Sequence, residues 1–549
     1  MPLLPPLPPP SAPALTLLTG AKVWQDDGRH GHFAKGLAVA LDGDRIAAVG
    51  PAQILARRYP KAIRVDLKGG SLLPGFLESH AHVGELGAMA RQADVTGLKT
   101  EAEVLAAVKA WCAANPGGWV RARGWDQNLW PGQAFPTRTE LDALTGDRPA
   151  YLERVDGHAA WVNSAALRAA GITKATQDPA GGRILRDADG EPTGILVDGA
   201  KDLLAAKLPK PTLAEAEANL LAGLRHLEAL GFTSTDDLDV PALDLQAYRA
   251  LQAAGRLPIR VFAYVHRDDQ EAVKAELATP RATALSFFQV QGVKFYMDGA
   301  LGSRGARLLA PYADEPGSRG TWVMDPARVR REALAVMKAG YQPALHAIGD
   351  AGNRAALDLL QADLKALGHA PSAPPRIEHA QIVTDADAAR FGRLGIIASV
   401  QPMHCTDDHA WTPARLGPGR VHEAYPWRRF LKGGATVCFG SDAPIADANP
   451  FMGIPAAETR QDAAGDPPGG FNGGQRMTRE EALRAYTLAG AKALGRDDQL
   501  GRLAPGLAAD LVWVDADLGT LPPQALRALK PGRLWVAGRE ADLKDLPKD

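Results

Sequence analysis

From about residue 213 to residue 495 the chain alternates helical and strand periodicity, and this constrains the fold more than any other feature. TLAEAEANLLAGLRHLEALG places apolar residues at helical spacing and stops on Gly231, a residue that ends helices well. The strand FTSTDDL follows, then a helix near 243–255, the strand IRVFAYVH, a helix near 269–278 and the strand QGVKFYMDG. A helix near 326–339 leads to QPALHAIGD, one near 353–367 to PRIEHAQ, one near 385–394 to GIIASVQP, and one near 422–432 to ATVCFGSD. A closing helix is expected over 479–495. With the opening strand SLLPGFLESH the strands number eight, each followed by a helix. That order predicts an α/β fold, a parallel (β/α)8 TIM barrel.

The flanks read differently. LTLLTGAKVW, GLAVALDGDRIAAVG and AIRVDL are short β segments separated by glycine turns, and GLAADLVWVDADL and GRLWVAGRE resemble them. Residues 14–70 and 500–549 are therefore expected to meet in one composite β-sandwich beside a barrel spanning 71–499. Residues 83–212 separate strand one from its expected helix, far more than a βα loop needs, so they form an inserted subdomain. Loops at that end of a barrel open over its mouth, and the insertion is expected to cover the active site. Residues 1–13, dense in proline, are expected to be a disordered arm. They lack the basic start and unbroken apolar run of a secretion signal, so a cytoplasmic location is expected, with the periplasm as the alternative if a signal was removed.

A net charge of −1 provides no clustered basic surface for phosphates, which argues against nucleic-acid partners. No apolar run approaches the roughly 20 residues that span a bilayer. Cys112, Cys405 and Cys438 are odd in number and far apart, so neither a disulfide framework nor a cysteine zinc cluster is expected. The partner indicated is a small-molecule substrate; a homodimer is only the general prior.

The polar residues at the strand ends carry the chemistry. His80 and His82 lie two apart, so both imidazoles face the same side of strand one. Lys294 lies in strand four, His346 ends strand five, His379 ends strand six and Asp442 ends strand eight. Burying such a set is costly unless something pairs with it. A divalent metal does so, because neutral imidazole and carboxylate are good zinc ligands. Any one of these residues alone would read as a core histidine or a turn aspartate; their shared layer makes them a site.

Seven segments in order, LLPGFLESHAHVGELG, GHAAWVNSAAL, GVKFYMDGALGSRGARLLAPY, LHAIGDAGN, RIEHAQIV, QPMHCTDDHAW and FGSDAPIADANPF, resemble the metal-dependent amidohydrolase superfamily, in particular the branch that includes N-substituted formamide deformylases. The resemblance implies a distorted (β/α)8 barrel beside a composite sandwich. It implies that His80, His82 and Asp442 hold one metal, zinc above all, and that His346 and His379 hold a second. It also implies that Lys294 is N6-carboxylated and bridges the two; the alternative from the residues is an unmodified Lys294 paired with Asp298 or another carboxylate, and one metal. The implied reaction is attack of metal-bound hydroxide on an amide, formamide or cyclic-amide carbonyl, with Asp442 as general acid/base. Glu78 stands where the family often has Asp, at a position that is not a ligand.

Other residues are candidates for substrate contact. Trp125, Trp130 and His158, with Asp156, lie in the insertion and read either as pocket wall or as subdomain core. Asp298 and Arg304, with Ser303, sit in a loop after strand four; His404 follows strand seven in a substrate-facing or supporting role. Asp407 and Asp408 read as capping or solvated, and His30, His32, His226, His369 and His422 as surface residues. The competing functions are hydrolysis of esters or carbamates by the same two-metal site, a mononuclear deaminase, and a catalytically dead binding protein. The deaminases of the superfamily place a glutamate soon after the strand-five histidine, and HAIGD offers none.

Overall fold

The computed structural model describes residues 15–155, 159–179, 182–205, 207–208 and 210–543. The proline-rich arm expected over 1–13 lies outside them. Two compact units make up the chain: residues 1–83 with 224–549, and residues 84–223.

The first unit holds the barrel. Its eight strands are β1 (Phe76–Ala81), β2 (Phe232–Val240), β3 (Arg260–His266), β4 (Phe288–Tyr296), β5 (Gln342–Ala347), β6 (Arg376–His379), β7 (Ile397–Val400) and β8 (Val437–Phe439). They form one parallel sheet in sequence order. Just beyond their last residues β8 and β1 come together, where Asp442 N–H donates to His80 O at 2.7 Å and His82 N–H to Ala443 O at 2.8 Å. The strands are almost continuously buried, as expected of a sheet covered on both faces. The helices between them include α1 (Pro326–Lys338), α2 (Asp350–Leu367), α3 (Asp385–Leu394), α4 (Pro402–Asp408) and α5 (Trp427–Lys432).

Three expected elements differ. The opening strand is two: Ser71–Pro74 pairs in a sandwich sheet, and β1 starts after Gly75. Gly75 is required there, since a Cβ would come within 2.1 Å of the Thr233 hydroxyl. The helix expected near 422–432 starts only at Trp427, because Pro426 precedes it. The closing helix is split into Arg479–Ala485 and Leu488–Ala493, and between them Tyr486 O accepts the β1 amide of Leu77 at 2.8 Å.

Both termini build the sandwich. One six-stranded sheet joins strands Lys22–Asp26, Gly31–Ala34 and Ser71–Pro74 to strands Leu511–Val514, Arg533–Val536 and Arg539–Glu540. A second, four-stranded sheet comes from residues 16–66. Leu18, Val39, Leu72, Leu511 and Trp535 belong to one buried apolar cluster of this domain.

The second unit has its own six-stranded mixed sheet, running from Gly182–Arg186 at one edge to Ala93–Asp94 at the other. Its core gathers Val104, Val120, Trp125, Trp130, Leu152 and Trp161.

Candidate metal centre

The strand ends bring His80, His82 and Asp442 together. Asp442 Oδ1 lies 3.2 Å from His80 Nε2 and 3.1 Å from His82 Nε2. Lys294 is buried, with Nζ 3.3 Å from His80 Nε2. The His379 ring lies 4.9 Å from that of His80 and 4.5 Å from that of His346. The six residues read from the sequence thus share one neighbourhood inside the barrel mouth.

Their orientation is set from behind. His80 Nδ1 is 2.6 Å from Glu378 Oε2, His82 Nδ1 is 2.9 Å from Leu238 O, and His379 Nδ1 is 2.9 Å from Gln401 Oε1. A ring nitrogen that donates to a carboxylate or carbonyl leaves the other with its lone pair, the form a metal requires. Glu378 also receives the fully buried Arg376, which bonds Asp236, the Ser79 carbonyl and the Ser399 hydroxyl. Burial opposes ionisation of Glu378, but Arg376 and His80 hold it well below the usual carboxylate range.

Backbone strain marks the same places. Asp239 next to the end of β2, His379 at the end of β6 and Asp442 after β8 take φ of 69°, 69° and 62°. Such angles in non-glycine residues cluster at sites whose surroundings enforce them. At His379 the strain has a visible result. Glu378 and His379 are neighbours on β6, where alternation would send them to opposite faces, yet Glu378 reaches His80 and the His379 ring packs on it.

The donor set fits a divalent cation. Among the described residues, two groups have ligand atoms mutually within 4.8 Å: His80, His82 and Asp442, and His379, His404 and Asp442. Burial, with the charge of Lys294, pushes His346 down to about 3, and burial with His346 holds His379 well below its ordinary value, so both imidazoles are neutral. Burial alone would raise Asp442, yet the attraction of His80 and its hydrogen bonds with His80 and His82 hold it well below the carboxylate range. Burial lowers Lys294. Among the described residues the Nε2 atom of His346 is buried with no hydrogen-bond partner. Neutral imidazoles and a carboxylate converging with such a nitrogen are what zinc-type ions take.

The remaining candidates divide. His404 joins the site: its ring stacks on His379 at 6.0 Å and its Nε2 lies 3.7 Å from Asp442 Oδ2. Asp298 is corrected from substrate contact to loop clasp, since its buried carboxylate accepts the amides of Arg307, Ile348 and Gly349 at 2.7–3.0 Å. Arg304 is likewise corrected, because it pairs with Asp314 and Glu315 in its own loop. Trp125 and Trp130 take the core reading: both are buried in the apolar cluster of residues 84–223, and Trp125 Nε1 donates to Leu152 O at 2.8 Å. His158 and Asp156 lie outside the described residues. Glu78, read as a non-ligand, accepts the amides of His80 and Ser441 and so braces the closing strands. Glu378, Arg376 and Gln401 went unread. The available signal was a charged pair two apart in RIEH, which alternation places on one face of a buried strand.

A parallel eight-stranded barrel whose strand ends converge histidines and an aspartate fit for a divalent cation defines a metal-dependent hydrolase. The chain belongs to the amidohydrolase family, which it matches over residues 64–541. Residues 38–62 match the bacterial imidazolonepropionase-like composite domain. The chain is 30% identical over 512 residues to YtcJ of Bacillus subtilis (strain 168), covering 91% of this chain and 95% of that one. It is 29% identical over 522 residues to the N-substituted formamide deformylase of Arthrobacter pascens, covering 91% and 94%. Among solved structures, an uncharacterized metal-dependent hydrolase from Pyrococcus horikoshii superimposes with a TM-score of 0.79 at 26% identity, covering 93% of this chain and 99% of that one. No helix among the described residues is long and apolar enough to cross a membrane.

Proposed function

We propose that this hydrolase cleaves a C–N bond in an amide, formamide or cyclic amide, with Asp442 as general acid/base. The observation that carries the reading is the placement of Asp442. Its Oδ1 faces both His80 and His82, and its Oδ2 lies 3.7 Å from His404 Nε2. One carboxylate oxygen can therefore serve as a ligand and the other can carry a proton. His80, His82 and Asp442 would hold one zinc, and His346 and His379 a second with Lys294. Bound zinc supplies water of lowered pKa and polarises the scissile carbonyl. Asp442 Oδ2 takes the proton of the attacking water and gives it to the departing nitrogen. Glu378 and Gln401 keep His80 and His379 in the required tautomers.

Lys294 needs a modification to serve as a ligand, because an ammonium has no lone pair. Burial favours its neutral amine. That amine can add carbon dioxide, forming an N–C bond and releasing a proton, and the resulting carbamate would supply an anionic ligand to the cations held by the histidines. The relative named N-substituted formamide deformylase supports a C–N bond as the target.

The test joins metal analysis to a panel of N-formyl amines, N-acyl amino acids, cyclic amides and esters. Zinc-dependent release of amine supports the reading; turnover confined to esters overturns it. Labelling with carbon-13 bicarbonate should give a carbamate signal in the wild type that Lys294→Ala lacks. A lysine without that signal in a protein holding two metals overturns the bridging role.

A further inference from the structure

The helix after β7 is tied to the exit of β6 by a network that the sequence did not mark. Asp408, the last residue of α4, accepts Gln381 Nε2 at 3.0 Å and the Tyr425 hydroxyl on the same oxygen, Oδ2. The Tyr425 hydroxyl also lies 3.1 Å from the His404 carbonyl. Tyr425 N–H donates to Gln381 O at 2.7 Å, and Tyr425 itself takes φ of 54°. Gln381 follows His379 by two residues, so the ligand-bearing end of β6 and the helix bearing His404 are fastened to one carboxylate. Asp408 is not the solvated or capping residue expected from the sequence.

That fastening has a consequence at the site. Among the described residues His404 Nε2 is buried and lacks a hydrogen-bond partner, and its 3.7 Å from Asp442 Oδ2 is too long for a hydrogen bond. An unpaired buried nitrogen is costly and in a native structure has a use. Here it faces Asp442 Oδ2, while Asp442 Oδ1 is the oxygen 3.2 and 3.1 Å from the Nε2 atoms of His80 and His82. A substrate bound beside the two would meet a proton carrier in Asp442 and an N–H donor in His404.

We propose that His404 is a catalytic residue whose Nε2–H donates to the substrate oxygen that gains charge as water adds, and that Asp408, Tyr425 and Gln381 are positioning residues that hold His404 there. This rests on the hydrolytic reading above. The water oxygen bonds to the carbonyl carbon and its proton goes to Asp442. The carbonyl π electrons move to the oxygen that faces His404. They return as the C–N bond breaks, and the Asp442 proton leaves with the nitrogen. Donors aimed at such an oxygen act on the barrier more than on ground-state binding.

The test is a double-mutant cycle in the metal-loaded enzyme with formanilide, following aniline release. His404→Ala should lower kcat about a hundredfold, with KM within about threefold and metal content unchanged. Asp408→Ala should lower kcat about tenfold, and adding it to His404→Ala should cost nothing more, since a group acting through another has no effect once that other is gone. Asp408→Asn, which keeps an acceptor oxygen for Tyr425 and Gln381, should recover most of the activity. Tyr425→Phe supplies the same cycle if Asp408→Ala does not fold. Losses that multiply in the double variant, or a single-variant loss that appears as lost metal, overturn the proposal. Running 4-nitrophenyl acetate in parallel separates the two readings. Turnover of the ester alone overturns the C–N reading while the cycle is still read on the ester; turnover of formanilide with multiplying losses overturns only the positioning.

Discussion

Replacing Glu378 with Gln isolates what a carboxylate behind His80 contributes. Glu378 has no exposed surface, its Oε2 lies 2.6 Å from His80 Nδ1, and its Oε1 receives Arg376 Nε. Glutamine has nearly the same shape and can still accept from His80 through its carbonyl oxygen. It removes the negative charge. A hydrogen bond to a charged group contributes roughly 1.5–3 kcal/mol and a neutral one about 1, so the exchange weakens the hold on the imidazole by about 0.5–2 kcal/mol. If His80 is a ligand, that difference appears as about 2- to 30-fold weaker metal binding, since each 1.4 kcal/mol is tenfold.

The assay is competition for zinc against a chromogenic chelator at fixed pH, with the melting temperature of the metal-free protein as control. Arg376 keeps Asp236, the Tyr264 hydroxyl, the Ser79 carbonyl and the Ser399 hydroxyl, so the variant should fold. Glu378→Ala is a poorer probe, because it removes the acceptor for His80 as well as the charge and leaves a void, which confounds affinity with folding. Wild-type zinc affinity in a folded Glu378→Gln protein would refute the reasoning that Glu378 acts on the metal through His80.

Three further outcomes follow from particular contacts. Asp442→Asn should keep most of the bound metal through His80 and His82 and lose activity by about a thousandfold, as removal of a general acid/base does, which steady-state kinetics beside elemental analysis will read. Gly440→Ala should lower the melting temperature, by about 1–3 kcal/mol of overpacking, because a Cβ would lie 2.4 Å from His80 N and 2.6 Å from His80 Cβ where the barrel closes. Glu481→Ala should cost about 1–3 kcal/mol near neutral pH, since Glu481 completes a capping box with Thr478 and receives Arg428 at 2.6 and 2.7 Å. Burial opposes its ionisation, but Arg428 and Thr478 hold it below its ordinary 4.5. The difference between wild type and variant should therefore persist above pH 4.5 and shrink as pH falls through the lowered folded value, checked by thermal melts across that range.

What could be read from the sequence was what repeats. Helix and strand periods recur through residues 213–495, and each barrel strand lies where its apolar run does, because burial on both faces leaves a continuous signature. His80 and His82 were legible as a pair because alternation puts i and i+2 on one face. What escaped depends on contacts between distant segments. Glu378 reads as the wrong face of β6 beside His379 until the left-handed angle at His379 is known, and no local pattern announces that angle. Asp408 meets Tyr425 17 residues away and Gln381 27 residues away. Pairings of that range come from packing rather than periodicity. Asp298 and Arg304 were misread for the same reason: their polar groups are spent on nearby loop atoms, which only the fold supplies.

Charge balance links the two open features of the metal centre. Arg376 and Lys294 are buried with Asp236, Glu378 and Asp442, and Glu378 and Asp442 are held firmly as carboxylates. Buried charge is tolerated only when compensated. One divalent cation with a neutral Lys294 leaves little excess of either sign. A second cation with Lys294 still an ammonium would leave a strongly positive interior, with Nζ only 3.3 Å from a ligand nitrogen of His80. Turning that ammonium into a carbamate exchanges a positive charge for a negative one and removes most of the excess. The number of metals and the state of Lys294 are therefore one question. A protein with two zinc ions per chain should carry the carbamate signal, and Lys294→Ala should bind at most one zinc tightly. Two tightly held zinc ions in Lys294→Ala, measured by elemental analysis after dialysis, would break the link.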